Sequence, residues 1–192
     1  RLLSKFKIKY SHLNKNFKLN KKFNMERYKI EFLDENAELE AGKAVLDISI
    51  VSNPSHNLKG FCFSKDFLEF KKVSENKYCA VLLRADYPIY RQKNPYMPNG
   101  GYIEFPKEFI KKIQEHNYAT KSFSFEHDNG NTIHAELVEN WIVKDSVKDK
   151  TALYGMDVSV GSWAGVLKFN TDKDFEKAIE LNGGISLEFN PE

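Results

Sequence analysis

The chain has 192 residues, 41% hydrophobic and 14% aromatic with 15 phenylalanines, which is enough apolar mass for one well-cored domain and excludes global disorder. No apolar run approaches the roughly 18 residues of a membrane span, and no secretory n-region and h-region pattern is present, so an intracellular protein with no membrane partner is expected. The formal net charge of +2 hides an asymmetry: of 29 basic groups, 21 lie after residue 24 against all 27 acids, a net of −6.

Residues 1–24 carry Arg1, Lys5, Lys7, Lys9, Lys15, Lys18, Lys21 and Lys22 and no acid. This leader has two readings. It is an electrostatic arm for nucleic acid or an acidic scaffold, or it is disordered or non-native sequence upstream of a domain spanning 25–192. Met25 opens a clean, strand-like stretch, which suits the second reading.

From there, Tyr28–Leu33 alternates as a first strand, and Ala44–Val51 is a stronger one, β-branched and stopped by Asn53-Pro54. Gly60–Ser64 is a short strand or extended turn, and Tyr78–Leu83 a buried strand. Ala85–Gly101, with Pro88, Pro95 and Pro98, is expected to be a long surface loop, and around Tyr90-Arg91 it is either a gate to a groove or a solvated connector. Pro106 suits the first position of a helix that turns Phe109, Ile110 and Ile113 inward and Lys111 and Lys112 to water. Ser122–His127 and Thr132–Val143 read as strands joined by a turn at Asp128-Asn129-Gly130-Asn131. Gly165–Phe169 is another strand. Thr171 caps a helix through Ile179, with Phe175, Ala178 and Ile179 inward, ending at Gly183 or Gly184 before a last strand. The sum is α+β: a mostly antiparallel, barrel-like sheet with a few surrounding helices.

Cys62 and Cys79 have neither metal-ligand nor framework spacing and read as buried reduced thiols. Trp141 and Trp163 at strand positions read as core rather than as stacking platforms. The candidate chemistry lies in two places. Ser186 follows the helix-to-strand turn at Gly183-Gly184, and a His-Asp step stands at His127-Asp128. A serine needs a base to take its proton at neutral pH, so this pair is the best catalytic candidate. The alternative for His127-Asp128 is a hairpin entry in which Asp128 satisfies turn amides. A metal centre would need more His and Asp ligands than the scattered remaining histidines supply, so no metal is expected.

The order of motifs resembles the phage prohead (capsid maturation) serine proteases, a family related in fold to the herpesvirus assembly protease. The similarity covers roughly residues 44–189. It runs from Ile48–Ser55 and Phe61–Ser64 through Tyr87–Arg91 and Gly101–Ile110. It continues with His127-Asp128 and Val138–Val143, then Gly161-Ser162-Trp163 through Phe175 to Gly184-Ile185-Ser186-Leu187-Glu188. The resemblance implies a β-barrel surrounded by helices, with His127 as general base and Ser186 as nucleophile. It also implies scaffold and major capsid proteins as substrates, cut inside an assembling prohead in the host cytoplasm, and it leaves room for self-cleavage and a homodimer. Where the family commonly has an aromatic before the serine this chain has Ile185, and it ends six residues after Ser186, so a C-terminally truncated domain is expected.

Such a mechanism needs no cofactor. Backbone N–H groups at Gly183 and Gly184 are candidate oxyanion donors. Glu139, Glu136 and His134 are candidates to orient the imidazole; strict alternation would put His134 and Glu136 on one face and Glu139 on the other. Two rivals stand beside the enzyme: a catalytically silent capsid or scaffold component of the same fold, and a nucleic-acid-binding adaptor working through residues 1–24.

Overall fold

The structure, a computed structural model, describes residues 8–12, 27–32, 45–52, 61–62, 76–91, 98–116 and 123–189. In chain order the strands begin with β1 (Ile8–His12), β2 (Arg27–Phe32), β3 (Val45–Val51), β4 (Phe61–Cys62), β5 (Lys77–Leu83), β6 (Ile89–Arg91) and β7 (Gly101–Glu104). Helix α1 (Lys107–His116) follows, then β8 (Phe123–Phe125), β9 (Asp128–Thr132) and β10 (Ala135–Ile142). The short α2 (Lys150–Leu153), β11 (Trp163–Phe169), α3 (Asp172–Leu181) and β12 (Gly184–Phe189) complete the order.

The strands form three four-stranded sheets, ordered β1-β2-β7-β6, β10-β11-β5-β4 and β12-β3-β8-β9. Pairing is antiparallel except for β2 with β7 and β3 with β8. The protein is therefore α+β and mostly antiparallel. The expected barrel is corrected: among the described residues the sheets stay separate and none closes on itself. No helix among these residues is long and apolar enough to cross a membrane.

The third sheet shows how sequence becomes packing. Ile48 and Ile50 of β3 lie opposite Leu187 and Ile185 of β12, and beside Phe123 and Phe125 of β8. All six are buried in the main core, together with Tyr78, Leu82, Phe105, Phe109, Ile110 and Trp163. Because strand side chains alternate between faces, this apolar face forces Ser49, Ser124 and Ser186 into one row on the other. Strand β5 is buried on both faces. Tyr78, Ala80 and Leu82 join the main core; Cys79 and Val81 join a second cluster with Val143, Met156, Val158, Ala164 and Val166. That is why it reads as a continuous apolar run.

Several expected elements move. The loop over Ala85–Gly101 is interrupted by β6, which pairs with β7 and so satisfies its backbone within a sheet. Pro106 accepts the first helical bond from Ile110 N at 3.0 Å, which makes it the cap of α1 rather than its first residue. The hairpin turn lies at Glu126-His127, two residues earlier than expected. Asp128–Thr132 is a strand, although Asn129–Asn131 bulge out between the Phe125↔Asp128 and Ser124↔Thr132 pairs. Thr171 caps α3 as expected, accepting from Asp174 N at 3.1 Å. The helix stops at Asn182, left-handed at φ 44°, and not at a glycine. Ala178 is buried at the face of α3, but Ile179, expected inward, is 40% exposed: only a narrow stripe of this ten-residue helix is covered.

Candidate functional site

Ser186 of β12 stands directly opposite Ser49 of β3, which in turn is in register with Ser124 of β8. Directly opposed residues share a face, with Cβ atoms about 4.5–5.5 Å apart in an antiparallel pair. Ser49 and Ser124 are buried, and Ser186 is half-buried.

His127 arrives at this row through a strained turn. Phe125 pairs with Asp128, so Glu126 and His127 alone turn the chain, at φ 55° and 56°. Two successive left-handed residues are the mark of a type I′ turn, a place normally taken by Asn-Gly or Asp-Gly. Side chains with a Cβ cost on the order of 1–3 kcal/mol each in that conformation, and surrounding contacts must hold them there. Here β3 does so. Glu126 N donates to Ile50 O at 3.0 Å, Glu126 Oε1 accepts from Ser52 N at 2.7 Å, and His127 N donates to Ser49 Oγ at 2.8 Å.

Ser49 is the hub of this arrangement. Its hydroxyl also accepts from Ser124 Oγ at 3.1 Å and donates to Ser124 O at 3.2 Å, which uses both lone pairs and its one proton. His127 and Ser186 are thus both first neighbours of Ser49. From one strand spacing and one hydrogen bond, about 10 Å or less separates Ser186 Cβ from His127 N. Ser49 escaped the reading of the sequence, although a signal was there. Ile48-Ser49-Ile50, Phe123-Ser124-Phe125 and Ile185-Ser186-Leu187 are three apolar-Ser-apolar triplets whose strands turn out to be neighbours.

The expected orienting residues lie elsewhere. Glu136 and Glu139 belong to β10, in a different sheet. Val138 is an extra bulged residue there, so Glu136 opposes Lys168 and Glu139 opposes Val166. The bulge puts both glutamates on one face, which corrects the expectation from strict alternation. Glu139 Oε2 pairs with Lys150 Nζ, and Glu136 is exposed. His134 engages Asp174 through its peptide N–H at 3.1 Å and its ring Nδ1 at 3.4 Å, both to Oδ2. Burial acts to raise the Asp174 pKa, but hydrogen bonds from the His134 backbone, Thr171 and the His134 ring together hold it below the usual carboxylate value. The carboxylates that flank His127 are Glu126 and Asp128. Asp128 Oδ1 accepts from Gly130 N at 2.9 Å, the turn-capping role weighed for it from sequence.

Gly183 and Gly184 lead into β12 at the end of β3. A Cβ on Gly183 would stand 1.8 Å from Val51 O, and its own carbonyl accepts from Tyr78 Oη at 2.7 Å, so close packing explains the glycine. Trp163 is fully buried, and the Trp141 Nε1 donates to Asp149 Oδ1 at 2.7 Å; both serve the core. Tyr90 is exposed on β6 and packs edge-on against Tyr102, with ring centroids 5.6 Å apart. Among the described residues no group of three His, Cys, Asp or Glu side chains forms a cation site. The Cys79 thiol is buried and free, and burial pushes its pKa up to about 12. The Cys62 side chain, and all of the basic leader except 8–12, lie outside the described residues. Residues 8–12 form β1, antiparallel to β2.

Comparison with protein-family models, with curated proteins and with solved structures finds no match.

Proposed function

We propose that the chain is a serine endopeptidase of the prohead-maturation type, with Ser186 as nucleophile and His127 as general base, acting on scaffold and capsid proteins. The observation that carries this reading is the joint adjacency of His127 and Ser186 to Ser49, with His127 held in a strained turn. Strain of this kind persists only where surrounding structure enforces it, and it clusters at sites that use it. The resemblance of the motif order to the prohead proteases supports the substrate class, and the common neighbour Ser49 supports the chemistry.

In the reaction, a His127 ring nitrogen takes the proton of Ser186 Oγ as that oxygen bonds to a peptide carbonyl carbon. The same proton passes to the leaving amine as the C–N bond breaks, and water then hydrolyses the acyl-enzyme with His127 again as base. Peptide N–H groups at the Gly183-Gly184 turn are the proposed oxyanion donors, each worth about 3–4 kcal/mol of transition-state stabilisation.

A fluorophosphonate probe tests this directly: Ser186 Oγ bonds to phosphorus as fluoride leaves. A single adduct by intact mass is expected for the wild type, and none for Ser186→Ala or His127→Ala. Co-expression with scaffold and major capsid proteins should then give discrete fragments that Ser186→Ala abolishes.

A second reading, a catalytically silent capsid or scaffold component, draws support from one observation. Two of the three orienting residues expected from sequence are committed elsewhere in the fold, Glu139 to Lys150 and His134 to Asp174, and the third, Glu136, lies on β10 in a different sheet. A folded wild-type protein that takes no adduct and leaves its partners intact would select it.

A further inference from the structure

We infer that Ser49 is a positioning residue for the proposed site, acting through the peptide N–H of His127. The inference rests on the protease reading and deepens it. It is carried by three independent geometric facts. Ser49 Oγ accepts from His127 N at 2.8 Å; His127 and Glu126 both stand in the left-handed region; and Ser49 is the register partner of Ser186.

The physical argument concerns which contacts hold a costly conformation. A hairpin closed by Glu-His relaxes toward φ below zero unless something holds its N–H groups in place. Glu126 is held by one group of β3 and one just past its end, its N–H by the Ile50 carbonyl and its carboxylate by the Ser52 N–H. For the His127 N–H the acceptor is the Ser49 hydroxyl. That hydroxyl is itself oriented by Ser124, whose Oγ donates to it and whose carbonyl takes its proton. Ser49 is fully buried and its bond to the His127 N–H partly so, which makes water a poorer acceptor than the hydroxyl it would replace. Removing the hydroxyl takes away this hold on the His127 peptide and loosens the placement of the imidazole it carries. Misplacing a catalytic group by about 1 Å costs on the order of 100-fold in rate.

The experiment measures the rate of fluorophosphonate labelling against pH for the full chain, with amide hydrogen exchange read by NMR on the same proteins. Ser49→Ala is expected to slow labelling by about 10- to 100-fold, to shift the inflection of its pH profile, and to raise exchange at the His127 amide. Ser49→Thr, which keeps the hydroxyl, should restore most of the rate and the protection. Thr151→Val removes another fully buried hydroxyl, one that bonds Asp149 at the start of α2, remote in sequence from Ser49, and so controls for general destabilisation. It is expected to label at the wild-type rate. If Ser49→Ala labels like the wild type, or if Thr151→Val slows as much for the same loss of thermal stability, the inference is overturned while the protease stands. If the wild type takes no adduct, or Ser186→Ala takes the same one, the protease reading and the inference fall together.

Discussion

A methyl group on Gly183 would meet the Val51 carbonyl at 1.8 Å, against backbone that cannot swing aside. Gly183→Ala is therefore expected to destabilise by about 3 kcal/mol or more, read as a lowered urea midpoint, because either β3 or the helix exit must shift. At the turn, the sign reverses. His127→Gly removes the left-handed penalty and is expected to raise stability by about 1 kcal/mol while abolishing probe labelling. Thermal melts and intact mass on one sample test both halves, and a destabilised variant would show that the turn is unstrained. Cys79 supplies a third case. With its thiol pushed up to about 12 by burial, it should resist iodoacetamide at pH 8 in the folded protein and react once guanidinium opens the core, as read by peptide mass mapping.

Among the elements, α3 was the most legible and the hairpin the least. Thr171 as a cap and the inward Ala178 follow from local rules that need no partner. The place of the hairpin turn does not. Asp128-Asn129-Gly130-Asn131 has ideal turn chemistry, yet β3 binds Glu126 and His127 and moves the turn upstream, leaving the Asn-Gly segment as a bulge. Likewise, no local pattern announces the Val138 bulge that turned Glu136 and Glu139 to a common face. The start of α3 carries a pH-dependent link. Asp174 has a folded pKa below its ordinary value of 3.8, so its contribution to stability is present above that value and is lost as pH falls through the folded pKa. Melting temperature should accordingly drop below about pH 4, and Asp174→Asn should flatten that part of the profile. An unchanged acid limb would remove Asp174 from the account.

At the scale of the whole molecule, the second and third sheets meet where β5 approaches β12. The buried Tyr78 hydroxyl donates to Gly183 O there at 2.7 Å, tying the core strand of one sheet to the entry of the serine strand in the other. Tyr78→Phe leaves that carbonyl without this donor and is expected to cost about 1–3 kcal/mol in chemical denaturation. The unfolding should remain a single cooperative transition, since one core cluster draws on residues from all three sheets.

The amino-acid sequence by itself determined the α+β class, the alternating strands around Ser49 and Ser186, the buried β5 and the capped α3. Each depends on periodicity or on a residue's own hydrogen-bonding, both of which act within a few positions along the chain. It also marked Ser186 and His127 as a pair worth testing, through the order of motifs. Only the tertiary structure decided that Ser49 stands between them, that the turn is strained, that the proposed orienting glutamates lie in another sheet, and that the sheets do not close among the described residues. These depend on which strands become neighbours and in which register. A one-residue change of register moves every side chain to the opposite face, and that choice is made by the packed core as a whole.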